Sequence, residues 1–440
     1  MRKYMLFVAL LTIATVTAAQ ENGPKEIQMS KDERLLVQSN NDFAFRLMRE
    51  ARTEVSQILS PLSITYALGM LNNGAAGQTQ QEINRVLGFG EAGADAINAF
   101  CRKLLTEAPA LDSDTRVAIA NNIYMNKPYV LKADFARKAY DYYDAQPESR
   151  DFSDGVTRDV INQWGSDHTE GMITEAIKEH EFNPQAISYL LNALYFKGEW
   201  TYKFDVENTT DELFNGGGKP VPMMHQEGNE LRYTENDLYQ AVKLPYGNGA
   251  YLMTVFLPRQ GKTVGDVLNG LDGKSWQFAG STSYIDLKLP RFETNTDIDL
   301  KPIMSALGMP SAFSEDAEFP DFCNTNTFIG MMKQVAKIKV NEEGSEAAAV
   351  TVIEMDKAVA TPENHVFHAT RPFLYIISEQ STGAIFFIGQ YMGDGTTRME
   401  GVKNEGVKNG NIYNLSGQRL STPPAKGLYI TDGRLYCRPQ

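Results

Sequence analysis

Nucleophilic catalysis needs a base beside the nucleophile, and this sequence offers few bases suited to the task. It holds five histidines, His168, His180, His225, His365 and His368, none of them in a catalytic frame. Neither a G-x-S-x-G elbow nor an H-E-x-x-H helix occurs. Gly261-Lys262-Thr263 ends like a phosphate loop, but Phe256 stands where that loop requires its first glycine. Gly216-Gly217-Gly218 lacks the strand and helix that would make it a phosphate cradle, and reads as a turn. The three cysteines, Cys101, Cys323 and Cys437, are odd in number and widely scattered, which excludes a disulfide framework and a metal-ligand cluster. The histidines therefore read as structural, with no catalytic residue, no metal and no cofactor expected.

One stretch has a pattern that ordinary connectors lack. Residues 340–373 read VNEEGSEAAAVTVIEMDKAVATPENHVFHATRPF, between the strand-like GMMKQVAKIKV and the apolar FLYIISEQSTGAIFFIGQY. Ser345, Ala347, Ala349, Thr351, Ile353 and Met355 alternate as small or apolar positions, while the other register holds Glu346, Glu354 and Asp356. A connector with the two faces of a strand has two states available, exposed loop and added strand. The chemistry open to it is to present a peptide bond and then to join a sheet.

Something must position such a segment, and 440 residues suffice for a large core. With 42 basic and 55 acidic residues the net charge is -13, which opposes nucleic acid and anionic membrane surfaces as partners. Arg2 and Lys3, the apolar run Met5–Val16 and the small Ala18 and Ala19 lay out a signal peptide over residues 1–19, so export to an extracellular, periplasmic or cell-surface location is expected. No later run reads as a membrane span.

Residues 31–50 have helical apolar spacing, Ser60-Pro61 reads as a cap and first helical position, Gly74 ends that helix, and 78–88 is a further helix. From Ile187 the texture becomes β, in ISYLLNALYFKG, LYQAVKLPYG, YLMTVFLP and SYIDLKLPRF, with a helix expected near 297–308. Helices first and strands afterwards indicate an α+β fold. After Gly393 the composition shifts to a solvated linker over 394–410, followed by a short β-rich appendage over 411–440.

With those elements in place the run Glu342-Glu343-Gly344-Ser345-Glu346-Ala347-Ala348-Ala349 resembles the proximal hinge of inhibitory serpins, the serine protease inhibitor family. The resemblance extends over residues 28–393 and includes SPLSITYALGMLNNGAAGQTQQEI, INQWGSDHTEGMI, LLNALYFKGEW, VPMMH, LPYG and RPFLYII in family order. It implies three β-sheets with about nine helices, and a five-stranded main sheet ready to accept an exposed reactive-centre loop. The appendage lies outside the family and resembles short C-terminal segments of some secreted bacterial proteins.

What the resemblance further implies is a suicide substrate, acting as a monomer on a serine endopeptidase, with cysteine endopeptidases as a second class. The family's spacing from Glu342 places the reactive bond at Ala358-Val359, suited to an elastase-like pocket. Lys357-Ala358 is the alternative and suits a trypsin-like one. Ser60, Ser63 and Asn192 are assigned to the region where the sheet opens, and Trp200, Arg291 and Glu342 to the top where insertion begins. Gln334 stands where many members carry a histidine, and its amide is expected to bond Asn192. Region 91–112 carries more acids than bases, so no heparin-type activation is expected. Two other readings remain open: a serpin-fold binding protein without inhibitory activity, for which bulky or charged hinge residues are expected, and a secreted hydrolase, for which a convergent nucleophile and base are required.

Overall fold

The structure, a computed structural model, describes residues 24–215, 220–345 and 364–393, and four short strands between 412 and 438. The signal-peptide reading of 1–19, the Gly216–Gly218 turn, hinge residues Glu346, Ala347, Ala348 and Ala349, and both candidate bonds at Lys357, Ala358 and Val359 lie outside the described residues. The chain divides into two compact units, Met1–Thr396 and Thr397–Gln440.

The first helix, α1 (Lys31–Ala51), starts in a capping box in which Ser30 and Glu33 satisfy each other's backbone N–H groups, and it buries Phe43, Phe45, Leu47 and Met48. Strand β1 (Gln57–Leu59) leads to Ser60, whose Oγ accepts from the Ser63 backbone N–H at 3.2 Å and caps α2 (Pro61–Asn72). Then come α3 (Gly77–Val86), α4 (Gly93–Glu107), β2 (Thr115–Asn126), α5 (Ala133–Tyr143), β3 (Glu148–Arg150), α6 (Val156–Asp167) and β4 (Ser188–Glu199). The β-rich half holds β5 (Thr210–Leu213), β6 (Pro220–Glu235), β7 (Tyr239–Tyr246), β8 (Tyr251–Pro258), α7 (Val264–Asn269) and β9 (Ser281–Pro290). It ends with β10 (Phe292–Asp299), α8 (Lys301–Leu307), β11 (Lys333–Val340), β12 (Gly344–Ser345), β13 (Asn364–His368), β14 (Phe373–Glu379) and β15 (Ile385–Tyr391).

Among the described residues there are thus eight α-helices, with five short 3-10 turns, where the resemblance implies about nine helices. The helix expected near 297–308 is shorter, because β10 claims residues through Asp299. Phe292, Thr294 and Thr296 are the buried positions of that strand, and the β-branched threonines suit a pleated, half-buried surface. Strand β2 lies within the half that reads as helical in sequence.

One continuous ladder runs β1-β15-β14-β8-β7-β6-β9-β13, with β5 on β6. β6 is long enough to serve two sheets: residues 232–235 pair with β7, and 223–233 with β9. β8, β14 and β15 are buried along their whole length, and Val255, Phe256, Ile376 and Ile388 form the centre of the core.

The third sheet, the one expected to accept the loop, comes in two pieces. One is the antiparallel pair β10-β11, the other the ladder β12-β4-β2-β3. Among the described residues no ladder joins β4 to β11, so the unbroken five-stranded sheet implied by the resemblance is divided along that line. A cleft of about 610 Å³ occupies the division, lined by β4, by β11 and by the start of α2.

In the second unit β16 (Ile412–Tyr413), β17 (Arg419–Leu420), β18 (Gly427–Thr431) and β19 (Arg434–Arg438) form a sheet in the order β17-β16-β18-β19. Strands β1–β15 make all their ladders among themselves. A chain ended at Asp394 is therefore expected to unfold cooperatively within about 2 °C of the full chain. Calorimetry checks this, and a fall of more than about 5 °C would assign the second unit a stabilising role.

Candidate functional site

The turn that starts the unusual segment is held from every side. β11 ends at Val340, and Asn341 and Gly344 close a tight turn through reciprocal backbone bonds of 2.9 and 3.2 Å. The chain then reverses, and Gly344 and Ser345 pair antiparallel with Glu199 and Gly198 of β4. These two residues occupy the first rungs between β11 and β4, at one end of the cleft. A Cβ on Gly344, whose φ is +155, would lie 2.1 Å from the Gly198 carbonyl oxygen, so glycine alone fits there.

Around the turn, the Trp200 indole N–H donates to the Asn341 carbonyl at 2.9 Å, and the Trp200 and Phe204 backbone N–H groups donate to the carbonyls of Glu343 and Glu342. The Glu342 side chain is buried, accepting from Arg291 Nε at 3.1 Å, from Arg291 Nη2, and from the Thr209 hydroxyl at 2.6 Å. Burial pushes its carboxyl pKa up, but the hydrogen bonds from Arg291 and Thr209 outweigh this and hold it below the usual glutamate value. Lys203 Nζ bridges Glu199 and Glu343 at 2.8 Å to each, joining β4 to the turn.

Ser345 faces inward. Its side chain is buried, and its Oγ shares a 2.8 Å hydrogen bond with the Tyr246 hydroxyl. Burial raises the Tyr246 pKa, so the phenol stays protonated, and Trp200 stacks on its ring at 4.5 Å between centroids. Trp200 thus touches both the backbone of the turn and the ring that receives Ser345.

Along the cleft, the two groups of the Ser60 peptide are taken by one amide side chain. Gln334 Oε1 accepts from the Ser60 N–H at 3.0 Å and Gln334 Nε2 donates to the Ser60 carbonyl at 2.8 Å. The expected bond from Gln334 to Asn192 is not made. The cleft separates the strands that carry them, and the Gln334 amide matches the backbone donor and acceptor of a single residue, Ser60. Asn192 Nδ2 instead donates to Asn121 Oδ1 at 2.9 Å within the β2-β4 ladder, while its buried Oδ1 has no partner among the described residues. Ser60 Oγ donates to the Phe386 carbonyl at 2.9 Å, and Ser63 lines the cleft beside Ser60, Asn192 and Gln334.

These features have a known counterpart. The profile of the serpin (serine protease inhibitor) family matches residues 38–393. The chain belongs to the serpin family. It is 29% identical to human neuroserpin over 375 residues, which is 81% of this chain and 90% of the relative. It is 31% identical to Iripin-8 of Ixodes ricinus, covering 88% of this chain and 98% of that one. Among solved structures it resembles the thermophilic serpin tengpin in its native state, with TM-score 0.74, 25% identity, and coverage of 84% and 96% of the two chains. It also resembles thyroxine-binding globulin in complex with thyroxine, with TM-score 0.71, 26% identity, and coverage of 81% and 98%. Serpins are protein inhibitors of proteases rather than catalysts.

The residues singled out in the sequence fall into two groups in this serpin. Trp200, Arg291, Glu342, Glu343, Gly344 and Ser345 gather at the turn, and Ser60, Ser63, Asn192 and Gln334 lie along the cleft. Tyr246, Lys203, Thr209 and Asn341 complete the turn and are not legible from spacing, since each acts through a tertiary contact. Missed also is a cluster away from the cleft, in which His225 and His368, read as structural from the sequence, converge on Asp286.

The depressed carboxyl of Glu342 sets a pH dependence. A carboxyl whose folded pKa lies below the ordinary 4.5 stabilises the fold fully above that value, and the stabilisation is lost as pH falls through the lower folded value. Glu342→Gln is expected to cost about 1 kcal/mol at pH 7, the exposure of Arg291 keeping it small. The difference from wild type is expected to shrink as pH falls below the ordinary glutamate value and through the lower folded one. Equal pH slopes for both proteins in urea unfolding would show that the pair does not stabilise the turn.

Proposed function

We propose that this chain is an exported suicide-substrate inhibitor of a serine endopeptidase. The observation that carries the reading is the seating of Gly344 and Ser345 on the first rungs between β11 and β4, with the cleft continuing beyond them. In that register Ala347 falls opposite Phe196, Ala349 opposite Leu194, Thr351 opposite Asn192, Ile353 opposite Leu190, and Met355 opposite Ser188, the first residue of β4. The inward set of the alternation would thus fill the slot over its full length. Thr351 would bring a hydroxyl to the unpartnered Asn192 Oδ1, and Glu346 would face Lys197 on the outer side.

The target's serine Oγ attacks the carbonyl carbon of Ala358, the C–N bond to Val359 breaks, and the proton taken from serine leaves on the Val359 amine. The product is an ester joining the inhibitor to the protease. With the tether cut, residues 346–355 can extend β12 through the slot. A strand of 14 residues from Ser345 to Ala358 spans roughly 45 Å, enough to carry the protease far along the body. Hydrogen bonds worth about 0.5–1.5 kcal/mol each and apolar side chains worth about 1.5–3 kcal/mol each give insertion on the order of 10 kcal/mol. Inhibition follows if insertion outruns hydrolysis of the ester. An elastase-like enzyme suits cleavage after Ala358, a trypsin-like one cleavage after Lys357. The leader-like residues 1–19 support export, and residues 411–440 read as a separate appendage with no part in trapping.

Arginine at Ser345 would put a cation against Tyr246 at the first rung, at a desolvation cost of several kcal/mol, and slow insertion without touching the bait bond. Wild type incubated with pancreatic elastase or trypsin is expected to give a complex stable to boiling in detergent. Ser345→Arg is expected to be cleaved at the same bond, shown by the mass of the released peptide, and to free active protease. Glu346→Arg, on the outer face, is expected to retain most of the complex. Cleavage without complex in wild type for every serine protease tried would contradict the inhibitory reading.

A further inference from the structure

On the sheet remote from the cleft, three neighbouring strands turn metal-binding side chains toward one point. β9 lies between β6 and β13, and His225 of β6 and His368 of β13 stand opposite the same residue, Lys288, from its two sides. Asp286, two residues before Lys288 and therefore on the same face, receives both imidazoles: His225 Nε2 and His368 Nε2 each lie 2.9 Å from its Oδ1. The three ligand atoms all lie within 4.8 Å of one another, and each residue is partly buried, open enough for an ion to enter.

Two further features distinguish this cluster from a chance ion pair. The first is a waste of hydrogen-bonding capacity. The His225 ring nitrogen makes an aligned hydrogen bond to Asp286, whereas His368 Nε2, shielded from solvent, makes none despite its distance. One carboxylate oxygen is serving two ring nitrogens and satisfies only one of them, while a cation would accept both lone pairs and the carboxylate together. The second is a β-bulge. The β6-β9 register slips between Gln226 and Asn229, so that two residues, Glu227 and the positive-φ Gly228, stand opposite the single Asp286. Bulges re-aim side chains, and this one brings Glu227 Oε1 to 3.3 Å from His225 Nε2, within reach of a fourth coordination position. The cation at the centre of the face, Lys288, is neutralised by Glu212 at 2.6 Å.

We propose that His225, Asp286 and His368, with Glu227 as the fourth donor, form a zinc-type divalent metal site that staples β13 to β9 and β6. Two imidazoles with carboxylate oxygens are the donors of a borderline cation such as Zn²⁺, whereas Ca²⁺ and Mg²⁺ take oxygen alone. Tetrahedral ligands at about 2.0–2.1 Å from zinc sit about 3.3 Å apart, so the two 2.9 Å contacts to Asp286 need open by only a few tenths of an ångström. The consequence is mechanical. β13 is five residues long and stands at the edge of its sheet, and among the described residues its one ladder is the parallel one with β9. It also follows directly on the segment 346–363, so a metal bridging three strands would fix the far anchor of that segment.

The test is titration of Zn²⁺, as a simple salt, into the untagged full chain. Calorimetry is expected to give one equivalent per chain with micromolar or tighter affinity, a higher Tm, and slower amide exchange at Phe367 in β13. Co²⁺ is expected to give a visible absorption band of the four-coordinate type. His368→Ala and Asp286→Asn are each expected to weaken binding at least tenfold and to abolish the Tm rise, and His225→Gln the same. His180→Ala, altering an exposed histidine in a 3-10 turn, is expected to leave both unchanged. Apo-protein Tm values show whether each variant is folded. Were His368→Ala and Asp286→Asn both unfolded, the His225→Gln result alone would decide. No binding below about 100 µM in wild type, or binding that folded cluster variants retain, would overturn the site.

Discussion

Among the described residues, two strand edges face each other without a ladder between them. There β4 is paired on its β2 side, and on the other at Gly198 and Glu199, while β11 is paired with β10. Backbone donors and acceptors along the remaining edges are strong groups that a further strand would satisfy better than water inside an apolar-lined cleft. Most of the surrounding structure relates to this deficit. Trp200, Arg291, Lys203 and Tyr246 fix the turn that aims the chain into it. The Gln334 amide caps the Ser60 peptide at its border, and Asn192 holds an unused acceptor along its wall.

The turn and the slot divide the work between charge and size. At the turn, Glu342 and Glu343 are held by Arg291 and Lys203, so the acidic residues remain at the top and do not enter the sheet. In the proposed inserted strand the positions that would face inward are small or apolar, which would lower the cost of passing between strands already packed on α2 and the core. The transition from charged to small falls at Gly344, the position where the approach of Gly198 excludes any side chain.

Much of this was legible in the sequence, because period-two alternation in a connector is unusual and because Ser60-Pro61 and the apolar runs mark their elements directly. The residues that were not legible have identifiable reasons. β2 carries Asn121, Asn122 and Asn126 in buried positions, so its strand character is diluted by amides that bond other chain segments rather than water. β10 follows Phe292 on its inward face with two threonines, Thr294 and Thr296. Gln334 suggested a partner on the facing strand, but an amide can close on the backbone N–H and carbonyl of one residue as well as on another amide, and the division of the sheet decided between them. The cluster at Asp286 draws one residue from each of three strands, beside a bulge in one of them, a pattern that sequence spacing does not encode.

The central claim is that the segment after Ser345 has its second state in the gap between β4 and β11. Amide hydrogen exchange along those two strands, compared before and after a single cut within residues 346–363, tests it most directly. If the slot fills, the β4 and β11 amides that exchange quickly in the intact chain become protected after cleavage, with protection extending from Gly198 toward Ser188. Unchanged exchange along both edges, with Ser345 no better protected than before, would contradict it.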